Sequence, residues 1–311
     1  MSWTDRFAGI VAVSVAIAIG GCGNGSQEPS DAPDAQSDVD DDAAPGSGAG
    51  CEVVDGSLTI ESAQAWQDFV DSGCDEVAGN LVIEGIDDDA PAELAQAAVE
   101  EVADDLRISW NDALTNLDGL SSLTSVGGDI IIGQNDILEN VDGLDSVTDL
   151  DGGLSVTANQ ALANLDGLGS ITDPLPYLTV RNNQALENVD GLGSITEVSG
   201  TLLIEENTNL VSVEGLGSLT QVGGDMSISD NDALTNLDGT ESLTQVDQTL
   251  WIESNNALTD IEGLGSLQEV GWDLRIMNND DLPECLAEEL AAQVDVGSVV
   301  AIAGNDADAE C

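Results

Sequence analysis

The chain has 311 residues, of which 61 are Asp or Glu and only 4 are Lys or Arg, with no His, for a formal charge of -57. A field this negative repels DNA, RNA and anionic headgroups, which excludes nucleic-acid and lipid-surface binders. The four cations are Arg6, Arg107, Arg181 and Arg275, so there is no Schiff-base lysine, no imidazole base and no histidine metal ligand.

In chain order, the first feature is an apolar run from Ala8 to Ile19 that ends in Gly20-Gly21-Cys22. It is shorter than the roughly 20 residues a bilayer span needs, and its length suits the apolar region of a signal peptide. Ile19-Gly20-Gly21-Cys22 resembles a bacterial lipobox, an aliphatic residue and two small ones before the cysteine that receives lipid. Residues 1–21 are therefore expected to be a lipoprotein signal peptide, with lipid on Cys22 holding the chain to a membrane. Residues 22–50 are rich in Gly, Ser, Pro, Ala and Asp, include Asp40-Asp41-Asp42 and carry no aromatic residue. Nothing there can build a core, so the stretch is expected to be a disordered acidic linker.

Setting Cys22 aside leaves Cys51, Cys74, Cys285 and Cys311, one pair near each end of residues 51–311. Disulfides Cys51–Cys74 and Cys285–Cys311 are the economical assignment, although four cysteines allow three pairings. Bridged cysteines agree with an exported protein.

Residues 51–311 are a repeat. Short apolar triplets begin at Leu58, Leu81, Leu106, Ile130, Leu154, Leu178, Leu202, Met226, Leu250 and Leu274, in steps of 24 from Leu106 onward. Inward residues two apart, such as Leu106 and Ile108, mark a short strand. Five places after each start stands an asparagine, without a miss from Asn111 to Asn279. Leucine, glycine and serine columns follow, the last two running from Gly119 to Gly263 and from Ser122 to Ser266. A stacked Asn column can satisfy backbone groups at a bend, and a glycine column fits close approach or positive φ.

No unit can bury its own apolar face, but stacked units make one core. The fold is expected to be all-β dominated, a right-handed parallel β-helix or leucine-rich-like solenoid of about ten 24-residue rungs. Ten rungs at strand spacing are roughly 45 Å long. A straight prism is preferred to a horseshoe, since no span within a normal repeat reads as a helix. Short helices are expected as caps over Ser62–Val70, with Trp66 and Phe69 in the cap core, over Pro91–Asp104, and over Pro283–Val294.

The unit Leu106-Arg107-Ile108…Asn111…Leu114…Leu117…Gly119-Leu120, with Cys51, Gly56-Ser57-Leu58-Thr59-Ile60 and Ser72-Gly73-Cys74 before it, resembles the receptor L domain. It is also similar to predicted surface lipoproteins of the myxobacterial type. The closing segment Asn279 through Leu282-Pro283-Glu284-Cys285 fits those bacterial members. The resemblance implies a cell-surface repeat domain and ligand binding, but it supplies no binding residue, because the family's contacts are not motif positions.

Function is read from the surface. An acid column precedes the glycines: Asp118, Asp142, Asp166, Asp190, Glu214, Asp238 and Glu262. Its carboxylates either accept backbone N–H groups in their own turns or form a line of weak Ca2+ sites. No catalytic, cofactor-binding or metal residue is assigned, and neither Ser nor Cys has a histidine to activate it. Trp251, the middle residue of Leu250-Trp251-Ile252, is expected to point outward, with Arg107, Arg181 and Arg275 at or near the same face. Trp110 and Trp272 are the other tryptophans of the repeat. The expected function is a non-catalytic envelope lipoprotein, of the outer membrane or cell surface, that binds a protein or glycan. The alternative is a structural spacer with a hydrated acidic, Ca2+-binding surface.

Overall fold

A computed structural model describes residues 53–87 and 94–310. The fold is dominated by β-structure in long parallel sheets that repeat the same strand-to-strand contacts. The principal sheet has eleven parallel strands in strict chain order: Leu58–Ile60, Leu81–Glu84, Leu106–Ser109, Ile130–Gly133, Leu154–Thr157, Leu178–Arg181, Leu202–Glu205, Met226–Ser229, Leu250–Glu253, Leu274–Met277 and Val300–Ala303. Register partners such as Leu154 and Leu178 are the residues the apolar columns align. The first and third residues of these strands face inward and are almost all fully buried up to Ile276, as the alternation of a strand requires. The eleventh strand was not expected. It pairs Val300 with Leu274, two residues off the earlier step, because a cap helix intervenes.

A second face carries two-residue strands in two separate five-stranded parallel sheets, Val53–Val54 to Asp149–Leu150 and Glu197–Val198 to Asp295–Val296. Between them runs Asp173-Pro174-Leu175-Pro176. Proline has no N–H for the ladder, so a strand cannot continue through this segment. Leu175 still fills its place in the core and bridges to Val198 on one side only. Toward the other side the Asp173 carboxylate accepts the Leu150 N–H at 3.2 Å.

The third stretch of each unit forms a corner. In five units it closes as a single 3-10 turn, as at Asp118–Leu120 and Asp166–Leu168, and in a sixth as the longer Glu262–Ser266, where no helix was expected. The glycine column serves close approach there. A Cβ on Gly143 would lie 1.7 Å from the Leu117 carbonyl oxygen, and one on Gly167 2.0 Å from that of Val141.

Helix α1 (Ala63–Ser72) begins at Ser62, whose hydroxyl accepts the Ala65 N–H, and ends at Gly73 in the left-handed region. Trp66 and Phe69 on it are buried and meet edge to face at 5.7 Å, so they are cap core, as expected. Helix α2 (Glu284–Gln293) follows Pro283 and packs beside the last strand. The helix expected over Pro91–Asp104 is absent from its described part. Leu94–Glu100 is irregular, Glu101–Val102 is a strand, and Leu94, Ala97, Val99 and Val102 fill the core columns. The Gly119 carbonyl of the next unit accepts the Ala97 N–H and the Ala95 carbonyl accepts from Trp66 Nε1, so neighbouring units hold the segment open.

The disulfide and membrane expectations are met only in part among the described residues. No disulfide joins two described cysteines: Cys74 follows α1 beside the first strands and Cys285 lies on α2 beside the last, beyond the reach of one bridge. Each is nonetheless disulfide-bonded. Cys51 and Cys311, their expected partners, lie outside the described residues, as do Cys22, the signal peptide and the linker. No described helix is long and apolar enough to cross a membrane, since α1 and α2 have only ten residues each.

Candidate functional site

The outer face of the principal sheet is built by two rows, the second residues of its strands and, from Leu81–Glu84 onward, the fourth, which include Glu84, Glu205 and Glu253. Register places the second residues in one row from Thr59 to Ala301, and that row contains no carboxylate. Its most apolar part is Leu203, Ser227 and Trp251, which are direct partners across neighbouring strands, with Arg275 beside Trp251. Ser227 points outward yet is only 4% exposed. Leu203 and Trp251 flank it in register, so these two large side chains cover it. Its hydroxyl is satisfied by Ser229 at 2.8 Å. Trp251 therefore lies on the outer face as expected, with part of its ring against the sheet and part in solvent.

The arginines near this face are not free. Arg107 sits 3.6 Å from Asp105, and Arg275 donates to Asp273 at 2.8 Å. Arg181 reaches Glu206 and lies 3.8 Å from Glu205. The hydrogen bond from Arg275 holds the Asp273 carboxyl below the usual carboxylate range. Near Arg181, burial first and then Glu206, Glu205 and Glu253 push Asp230 above its ordinary value. At the start of the strands, the Tyr177 ring lies over Gly153, where an added Cβ would meet it at 2.2 Å. Burial, followed by a hydrogen bond to Asp129, raises the Tyr177 hydroxyl above its ordinary value.

The acid column does not behave as expected. All seven carboxylates are exposed, and no hydrogen bond to any of them is found among the described residues. The bond runs the other way. The residue two places earlier accepts the acid's own N–H: Asn116 for Asp118, Asn164 for Asp166, Ser212 for Glu214 and Asp260 for Glu262. These are Asx-type turns, in which a short side chain caps the backbone two residues on. No group of three or more described Asp, Glu or Cys side chains is placed to hold a metal ion.

The Asn column lies inside, as expected. Asn135 Nδ2 donates to Ile108 O at 3.0 Å while its Oδ1 accepts the Asn111 N–H at 3.2 Å, and the same pair of bonds recurs at every unit. Asn305 extends the ladder by one step, accepting the Asn279 N–H and donating to Ile276 O. Sequence reading missed it because it falls off the 24-residue step. The residue before each Asn takes the left-handed conformation: Trp110, Gln134, Ala158, Asn182, Glu206, Asp230, Ser254 and Asn278, with φ between 56° and 60°. Varied residue types left no signal for this in the sequence.

No protein-family model matches the chain, and no curated protein is significantly similar to it in sequence.

Proposed function

We propose that the chain is a lipid-tethered, non-catalytic recognition module of the cell envelope, which binds a protein or glycan partner on the outer face of its principal sheet. One observation carries this reading: a chain with 61 acids keeps an eleven-residue row of that face free of carboxylates and sets Leu203, Trp251 and Arg275 along it. A stacked sheet fixes these side chains before a partner arrives, so little entropy is lost on binding. An indole beside an aliphatic residue suits a sugar face or a protein hot spot. Parallel strands joined in one sense favour a right-handed coil, which agrees with the resemblance to receptor L domains. Lipid on Cys22 and the 22–50 linker would then present the face from the outer membrane or cell surface.

The spacer reading draws on the seven exposed carboxylates, which line one edge of the stack. Capture of envelope components on the immobilised full chain separates the two. Saturable capture that is lost in Trp251→Ala, with an unchanged circular-dichroism spectrum and melting midpoint, is the expected result. Equal capture by both proteins would remove the face from consideration. Failure of the folded chain to capture anything, with calcium or with chelator, would leave the spacer. Loss in chelator alone would move the site to the acid column.

A further inference from the structure

Trp110 stands apart from every other residue at its position. Its counterparts along the Asn-lined corner are small or polar, with Gly85 in the unit before it and Gly304 in the last unit. A bulky side chain in the left-handed region is an uncommon and costly choice, and here burial returns nothing, because Trp110 is 59% exposed. Its surroundings give the indole a use. Ile60, Ile83 and Ile108 are in register on neighbouring strands, so Glu61 and Glu84 follow side by side and Trp110 comes two places after Ile108. These residues and Gly85 line an open cavity of about 410 Å³. Nothing lies within 4 Å of where a Gly85 Cβ would project, so the floor is bare. Neither Glu61 nor Glu84 has an ion pair or hydrogen bond among the described residues, and the nearest arginine in sequence, Arg107, is engaged by Asp105.

We infer that Trp110, Glu61 and Glu84 form a binding site for an alkylammonium group, on the first strands of the principal sheet, six or more strands away from Trp251 and independent of the reading given to it. The indole offers its π-face to a cation and its apolar surface to the methylene stem, while two carboxylates receive the charged head. An inorganic ion fits less well, since the indole supplies no ligand and no three-ligand cluster is found among the described residues. The negative field of the whole chain concentrates such cations near the surface. The ammonium can come from a free polyamine or from a lysine of a basic peptide.

The test is a titration of the full chain with n-butylammonium, spermidine and a short oligolysine peptide at fixed ionic strength, followed by the indole N–H resonances and by calorimetry. The Trp110 resonance, assigned by its loss in Trp110→Ala, is expected to shift and saturate. Trp110→Ala and Glu61→Gln/Glu84→Gln should each weaken binding about five-fold. The pair Asp118→Asn/Asp142→Asn removes the same charge elsewhere and should change affinity by less than about two-fold. Tighter binding of spermidine names a polyamine, and tighter binding of the peptide names a protein partner. Three outcomes overturn the assignment: a shift that never saturates, equal weakening by the Asp118/Asp142 pair, or binding unchanged in Trp110→Ala. A response to methyl glucoside but not to n-butylammonium would also overturn it.

Discussion

Two corners run the length of the stack with the same period and opposite character. At one, asparagines from Asn111 to Asn279 are fully buried, and each bonds backbone of the unit before it. At the other, carboxylates from Asp118 to Glu262 are exposed, and none is bonded by its neighbours among the described residues. Repetition multiplies whatever one unit contributes. A side chain that is both donor and acceptor ties adjacent rungs together, whereas a side chain that is only an anion repels its own copies at strand spacing. The ladder holds the stack, and like charges repeated at strand spacing oppose it.

The largest effect should come from breaking the ladder. Asn159→Leu leaves the Asn135 N–H buried without a partner and strips the side-chain bond from the Ile132 carbonyl, which keeps only its strand partner; this should cost about 2–3 kcal/mol of stability in denaturant melts. A loss below about 1 kcal/mol would mean that the ladder is ornamental. Next is the residue beside it, Ala158, held at φ 59°. An L-residue there costs about 1–2 kcal/mol, more than the extra unfolded-state freedom of glycine, so Ala158→Gly should stabilise by about 0.5–1 kcal/mol. Destabilisation would show that the corner is unstrained. The smallest effect belongs to the acid column. Asp166→Asn should stabilise by about 0.5 kcal/mol at low salt, and the gain should vanish in 1 M NaCl, where the screening length is about 3 Å. A gain that persists in salt would assign the cost to something other than repulsion.

What could be read from the sequence was whatever an uninterrupted period reports. Strand register, the buried Asn column and the outward Trp251 all follow from position alone. Three things escaped it. The left-handed residues escaped because Trp110, Gln134 and Ala158 share a backbone state and no chemistry. The direction of the corner hydrogen bonds escaped because Asn116 and Asp118 are both competent acceptors, and only geometry selects the earlier one. The segment after Pro91 was misread because its Ala/Glu composition favours a helix when taken locally, whereas the adjoining units offer Leu94, Ala97 and Val99 places in a continuous core. The candidate site was readable only in part. Trp251 could be placed on a face, but the bare row around it and the cavity beside Trp110 are properties of stacking, which no single unit displays.

The double-proline joint bears on how such a stack comes apart. In an array held by nearest-neighbour contacts, strength is set by the weakest interface. At Asp173-Pro174-Leu175-Pro176 one of the strand ladders is interrupted, while the principal sheet passes through unbroken. A stack pulled from its two ends would part at this seam, leaving two shorter stacks, each still keeping part of the ladder.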